Sequence, residues 1–113
     1  MGGTLKILYG LKACDTSRNA AKALERAGHE VQFRDVRAEP LSPGDIRRFG
    51  EAFGDALVNR RSTTWRELPE SERGRNYMEL LANHPTLMKR PVIEDGDVLT
   101  LGWDKAAQAK HLG

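Results

Sequence analysis

The opening stretch up to Val36 constrains the fold more than any other part of the chain. Leu5-Lys6-Ile7-Leu8-Tyr9 is a short, largely apolar run that reads as a buried strand. Ala20, Ala23, Leu24 and Ala27 then fall at i, i+3, i+4 and i+7, the spacing of an amphipathic helix. Ala27-Gly28-His29 closes that helix, with glycine at the C′ position. Val31-Gln32-Phe33-Arg34-Asp35-Val36 begins with apolar-polar alternation and reads as a second strand. A strand, a helix and a strand at this spacing form a βαβ unit, so the two strands are parallel and the crossover is right-handed.

The turn between the first strand and the helix carries the single cysteine of the chain, Cys14, within Tyr9-Gly10-Leu11-Lys12-Ala13-Cys14-Asp15-Thr16-Ser17-Arg18-Asn19-Ala20. Cys14 falls at or just before the helix start, where Thr16 or Ser17 can cap the exposed N–H groups. Those N–H groups and the helix dipole favour an anion there, and a thiolate is an anion. The helix contributes about 0.3–1 kcal/mol at an exposed position, whereas one pKa unit corresponds to about 1.4 kcal/mol. Asp15 opposes ionisation unless it points away. Full activation requires a cation. Lys12 is the only one nearby in sequence, so the remainder of the chain must supply an arginine.

After the second strand, Arg37-Ala38-Glu39-Pro40 is a connection. Ser42-Pro43-Gly44-Asp45 opens a helix with Ser42 at the N-cap, Pro43 at N1 and Asp45 at N3. Ile46, Phe49 and Phe53 mark its inner face. From Gly54 to about His84 there is no strand-like run. Short helices are expected near Trp65 to Leu68 and from Pro69 to Arg73. A longer one carries Tyr77, Leu80, Leu81 and His84, and Pro85 ends it. Two short β-runs then flank Asp95-Gly96, a hairpin signal. Trp103, Ala106 and Ala107 share a face of a last helix. The order β-α-β, helices, β-β-α is that of an α/β thioredoxin-like fold. It implies a mixed four-stranded sheet in one domain over 1–113, with an all-helical insertion at about 42–85.

Length and composition narrow the function classes. At 113 residues the chain can form one self-supporting core. Its 18 Lys and Arg against 16 Asp and Glu leave a formal charge of +2, which argues against a dedicated nucleic-acid binder. Met1-Gly2-Gly3-Thr4 reads as a short polar lead-in, with no signal peptide and no run suited to a membrane span. A lone cysteine cannot form an internal disulfide, which fits the reducing cytoplasm. His29, His84 and His111 are scattered, so no metal site is expected. No bound cofactor and no oligomer are expected either.

Three motifs in order give a resemblance to a known family. They are Tyr9-Gly10 leading to Cys14-Asp15-Thr16-Ser17-Arg18-Asn19, then Leu57-Val58-Asn59-Arg60-Arg61-Ser62-Thr63-Thr64-Trp65, then Lys89-Arg90-Pro91-Val92. Over nearly its whole length the chain resembles the ArsC/Spx family of thioredoxin-fold proteins. It is most similar to the short YffB-like branch, which shares the Cys-Asp-Thr start, a Thr-Thr-Trp segment and Lys-Arg-Pro. The resemblance implies that Cys14 is the nucleophile, that Pro91 is a cis proline facing it, and that Arg90 binds oxyanion. Arsenate reductases of this family attack arsenate with the cysteine, pass the adduct to glutathione and glutaredoxin, and surround the oxyanion with three arginines. In an ungapped match the first arginine falls on Asn59, followed at once by Arg60 and Arg61; YffB-like and Spx proteins carry an arginine where Arg61 stands. Gly102-Trp103 occupies the place of the third. Spx regulators commonly carry Cys-x-x-Cys, and this chain has Cys-x-x-Ser.

Each of these residues also has a plainer reading. A lone cysteine is by default a small buried apolar residue. Arg90 could be a surface arginine, Arg60 and Arg61 a solvated turn, Lys12 an exposed lysine, and Thr16 and Ser17 helix caps. Trp65 and Trp103 read as core or cleft lining. Together with the resemblance, the residues lead to a thiol-dependent oxidoreductase using Cys14 alone, with glutathione as co-substrate. Arg90 with Arg61 or Arg60 would stabilise the thiolate and hold carboxylates or an oxyanion. Two alternatives stand beside it. One is arsenate reduction coupled to glutathione and glutaredoxin; the other is an Spx-like protein that binds a protein partner without turnover.

Overall fold

The computed structural model describes residues 5–112; Met1-Gly2-Gly3-Thr4, read above as a lead-in, lies outside them. The described chain packs as two compact units, residues 5–35 with 90–112, and Val36–Lys89.

The first unit holds the sheet. Strand β1 (Leu5–Gly10), helix α1 (Asp15–Arg26) and strand β2 (Glu30–Asp35) form the βαβ unit, with β1 and β2 parallel from Leu5 opposite Glu30 to Gly10 opposite Asp35. Strand β3 (Val92–Asp95) runs antiparallel to β1, with Leu8 opposite Ile93. Strand β4 (Val98–Leu101) runs antiparallel to β3, with Ile93 opposite Thr100. The order is β2-β1-β3-β4, the mixed four-stranded sheet of a thioredoxin-like fold. Side chains alternate along a strand, so Leu8, Phe33 and Ile93 share one face. There they pack with Ala20, Ala21 and Leu24 of α1 and with Val31 and Trp103.

Four local expectations are corrected. The hairpin loop is Gly96-Asp97, one residue later than the sequence pattern suggests, because β3 continues through Asp95. Gly96 has φ +57°, and among the described residues only glycines have positive φ; glycine first in a two-residue loop is the type II′ preference. The inner face of α1 is Ser17, Ala20, Ala21 and Leu24, not one that includes Ala27, which is exposed. The 3.6-residue period was right, but the buried set begins at Ser17 rather than Ala20, less than a full turn earlier, because alanine carries too little apolar surface to set the phase. The last helix, which spans Lys105–Leu112, begins after Trp103, and its buried residues are Ala107 and His111. His111 is therefore not isolated: it joins buried Lys6, Asp95 and Thr100.

The second unit is helical. Helix α2 (Pro43–Phe53) starts as its sequence requires, with the Ser42 hydroxyl accepting from Asp45 N–H at 3.1 Å. Ile46 and Phe49 are buried on its inner side. Gly50 is buried too, because a Cβ there would stand 2.2 Å from the Tyr77 ring. Helices α3 (Thr63–Glu67), α4 (Glu70–Arg73) and α5 (Tyr77–Asn83) follow, with Ser62 capping α3 and Asn76 capping α5. Pro85 opens a 3-10 turn, Pro85–Leu87. After it Met88 bridges to Val58, and Lys89 N–H donates to the Leu57 carbonyl at 2.8 Å. A further 3-10 turn, Gly54–Leu57, follows α2, and the Lys105–Leu112 helix of the first unit is α6.

The phase of α1 is testable by paired substitution. Ala27→Gln should leave the urea midpoint within about 0.5 kcal/mol of the parent. Ala21→Gln should destabilise by about 1–3 kcal/mol, through overpacking and a buried amide. Equal effects at the two positions would refute the observed phase.

Candidate active site

Cys14 is the N-cap of α1, with φ −91° and ψ 120°. Its N–H donates to the Leu11 carbonyl at 3.0 Å, and its carbonyl accepts from Arg18 N–H at 3.1 Å. The loop before it is fixed from two sides. Lys12 N–H donates to Asp35 Oδ2 at the end of β2 (2.9 Å), and Arg18 Nη1 donates to the Lys12 carbonyl (2.7 Å). The thiol is half-buried and free.

The cap assignment differs from the sequence expectation. Thr16 and Ser17 lie inside the first turn rather than at its cap, Thr16 exposed and Ser17 fully buried. Ser17 occupies N3, the position whose N–H an N-cap side chain ordinarily binds. The Cys14 side chain makes no capping hydrogen bond of ordinary geometry. Its ionised form is nonetheless favoured there. Burial pushes the thiol up, but the Ser17 hydroxyl, the Ser17 N–H and the Arg90 guanidinium outweigh burial and hold it below its ordinary value.

Ser17 is held by a close approach. Its hydroxyl accepts from Leu11 N–H at 3.3 Å, which leaves its own proton for the sulfur. A Cβ on Gly10 would stand 2.4 Å from Ser17 Oγ, so only glycine at the end of β1 lets the first turn of α1 lie this close. No sequence pattern marks a contact between residue i and i+7 across a strand-to-helix turn. The role of Ser17 as a donor to the sulfur, and that of Gly10, were therefore not legible beforehand.

Arg90 belongs to the same unit as Cys14 and is half-buried. The Arg90–Pro91 peptide is cis. The Pro91 carbonyl accepts from Gly102 N–H at 2.8 Å, which ties the segment to the end of β4. Asp15, which could have opposed the thiolate, is exposed and paired with Arg18. Lys12 is not among the groups that act on the thiol. Its side chain lines an open groove with Arg18, Ala21, Lys22, Glu25 and Phe33.

Arg60 and Arg61 lie in the second unit and are exposed. With Asp55, Ala56, Val58, Asn59 and Lys89 they line a concavity of about 630 Å³. Arg60 lies over the Trp65 ring at 5.3 Å, with Arg73 at 5.9 Å. Arg61 N–H donates to Asn59 Oδ1 at 3.0 Å. Among the described residues no group of histidine, cysteine and carboxylate side chains is placed to hold a metal ion.

A family model described as the ArsC family matches residues 9–110. The chain belongs to the ArsC family. A Haemophilus influenzae protein is 39% identical over 108 residues, which span 90% of this chain and 95% of that one. The global transcriptional regulator Spx of Bacillus subtilis is 32% identical over 106 residues, covering 87% of this chain and 79% of Spx. A solved YffB protein superposes with a TM-score of 0.87 at 32% identity, over 96% of this chain and 99% of that one. Within the ArsC fold, Cys14 at the head of α1 and Arg90 before cis-Pro91 are thus brought into one unit by the chain's own packing.

The thiol's electrostatics give a direct expectation. Ser17→Ala and Arg90→Ala should each move the pH midpoint of Cys14 alkylation upward. Near neutral pH alkylation should slow by roughly three- to tenfold, the loss of one hydrogen bond to a half-exposed charge. Thr16→Ala should leave the profile in place. A midpoint insensitive to Ser17 and Arg90 would remove both from the account.

Proposed function

We propose that this ArsC-family chain is a thiol-dependent oxidoreductase in which Cys14 is the only redox residue and glutathione the co-substrate. The observation that carries the reading is the half-buried Cys14 thiol at the head of α1, which Ser17 and Arg90 hold below its ordinary pKa against the effect of burial. Cys14 is the sole cysteine, so no internal thiol can resolve an adduct. The thiolate attacks the glutathione sulfur of a mixed disulfide R–S–S–G. A new S–S bond forms between Cys14 and the glutathione sulfur, the S–S bond of R–S–S–G breaks, and RS⁻ departs with its electron pair. A second glutathione thiolate then attacks the bound glutathione sulfur. Oxidised glutathione leaves and the Cys14 thiolate is restored. In all, R–S–S–G and one glutathione thiolate become RS⁻ and oxidised glutathione: the glutathione sulfur of the substrate stays at disulfide level, the R sulfur is reduced and the incoming glutathione sulfur is oxidised.

In this reading Arg90 does two things. It stabilises the thiolate between turnovers, and it offers a planar pair of donors to a glutathione carboxylate or an oxyanion. The second unit's concavity, rimmed by Arg60, Arg61 and Lys89, supplies an anion-binding place of its own. The chain works as a monomer in the cytoplasm, where reduced glutathione keeps Cys14 free. Among the described residues no helix is long and apolar enough to cross a membrane.

The likeness to Spx favours a second reading, a protein that binds a protein partner without turnover. One assay separates the two. Reduction of a glutathione mixed disulfide is followed through glutathione reductase and NADPH, with arsenate plus glutaredoxin as a parallel substrate. Turnover with the mixed disulfide, lost by at least about a hundredfold in Cys14→Ser, supports the oxidoreductase. Turnover with arsenate alone would assign the arsenate reductase activity. No turnover with either would leave the binding protein.

A further inference from the structure

The sheet face that packs on α1 changes character toward α6. Lys6 is 2% exposed and His111 3%. Lys6 Nζ donates to Asp95 Oδ2 at 2.8 Å and lies 3.2 Å from His111 Nδ1, and His111 Nε2 lies 2.8 Å from Thr100 Oγ1. A charged lysine has donors only. Nδ1 must therefore accept from it, which fixes the neutral imidazole as the Nε2–H tautomer, donating to Thr100. We propose that His111 is a pH-operated latch: its neutral imidazole holds α6 to the sheet, and its protonation releases that helix.

The geometry leaves protonated His111 no accommodation. A proton on Nδ1 would meet the Lys6 ammonium donor to donor and charge to charge, out of water. Among the described residues Asp95 is the only carboxylate that acts on the ring, and its Oδ2 is already bound to Lys6. The other charged or titratable groups that act on the ring are His29, at the end of the α1–β2 connection, and Lys110 on α6 itself; when protonated, both oppose a second positive charge. Burial first, then Lys6, hold His111 below its ordinary value, while Asp95 opposes them. A depressed folded-state pKa makes the sign definite. The stabilisation is complete above the free imidazole value of about 6.5 and drains away as pH falls.

The release is local because the hold is small. Ala107 and His111 are the only buried residues of α6 among those described, and a helix of 8 residues does not persist undocked. The apolar cluster of Leu8, Ala20, Ala21, Leu24 and Ile93 contains no residue of α6.

The test is hydrogen exchange of the full chain, followed by mass spectrometry at about pH 7.5 and about pH 5 and corrected for intrinsic rates. At the lower pH the Lys105–Leu112 segment should lose at least about tenfold in protection, while β1 and α1 keep theirs. His111→Gln, whose amide can accept from Lys6 and donate to Thr100, should hold α6 at both pH values. Lys6→Met should hold it at the lower one. His29→Gln should leave the transition in place. As a readout needing no variant, the ring resonances of His111 should report the Nε2–H tautomer at the higher pH and a midpoint below about 6.5. Unchanged α6 protection, loss shared equally by β1 and α1, loss persisting in His111→Gln, or a midpoint at or above that of free histidine would each overturn the proposal.

Discussion

The contact of Ser17 with Gly10 underlies the arrangement of the candidate site. Helix α1 must start at the end of β1, close enough for its first-turn N–H groups to reach the cysteine sulfur. The missing side chain at Gly10 permits this, and the fully buried Ser17 fills the gap with a hydroxyl rather than a methyl. That hydroxyl satisfies the Leu11 N–H and still has a proton to offer Cys14. An alanine at Ser17 would preserve the packing and lose the proton; an alanine at Gly10 would push the turn away from the strand. Arg90 adds a formal charge from the other side of the sequence, through β3 pairing with β1. The helix dipole alone contributes less than one pKa unit is worth. The groups that hold the thiol below its ordinary pKa against burial are these two neighbours, Ser17 and Arg90.

Much of this was legible in the residues. The βαβ unit could be read from one apolar run, one helical period and one alternating run, because each is a local pattern. Ser42-Pro43-Gly44-Asp45 announced the start of α2 through a capping rule that acts within one turn. What could not be read are contacts set by packing between distant segments. The phase of α1 was ambiguous because its alanines differ little in apolar surface. Ser17 looked like a cap because serine usually is one. His111 looked solitary because Lys6, Asp95 and Thr100 reach it only after the sheet has formed. Lys6 sits in an apolar run, where a lysine would ordinarily turn outward. Instead Leu5 is 48% exposed and Lys6 is buried.

That buried lysine shows how one sheet face can serve two purposes. Beside α1 the face is apolar and contributes stability through area removed from water. Beneath α6 it is polar, and a paired charge in that position adds little net stability, although removing one partner is costly. The two regions thus differ in what they are sensitive to. The first responds to changes of volume at Leu8, Leu24 or Ile93, and the second to proton uptake at His111. Helix α1, whose N-cap is Cys14, rests on the first region.

The central claim is that Cys14 is a thiolate-prone nucleophile by virtue of its own neighbours. The direct measurement is the ultraviolet absorbance of the thiolate, titrated with pH and read against Cys14→Ser, which lacks the only thiol in the chain. The account predicts a midpoint below the ordinary thiol value of about 8.5. A midpoint at or above that value would mean that burial outweighs Ser17 and Arg90, and would contradict it.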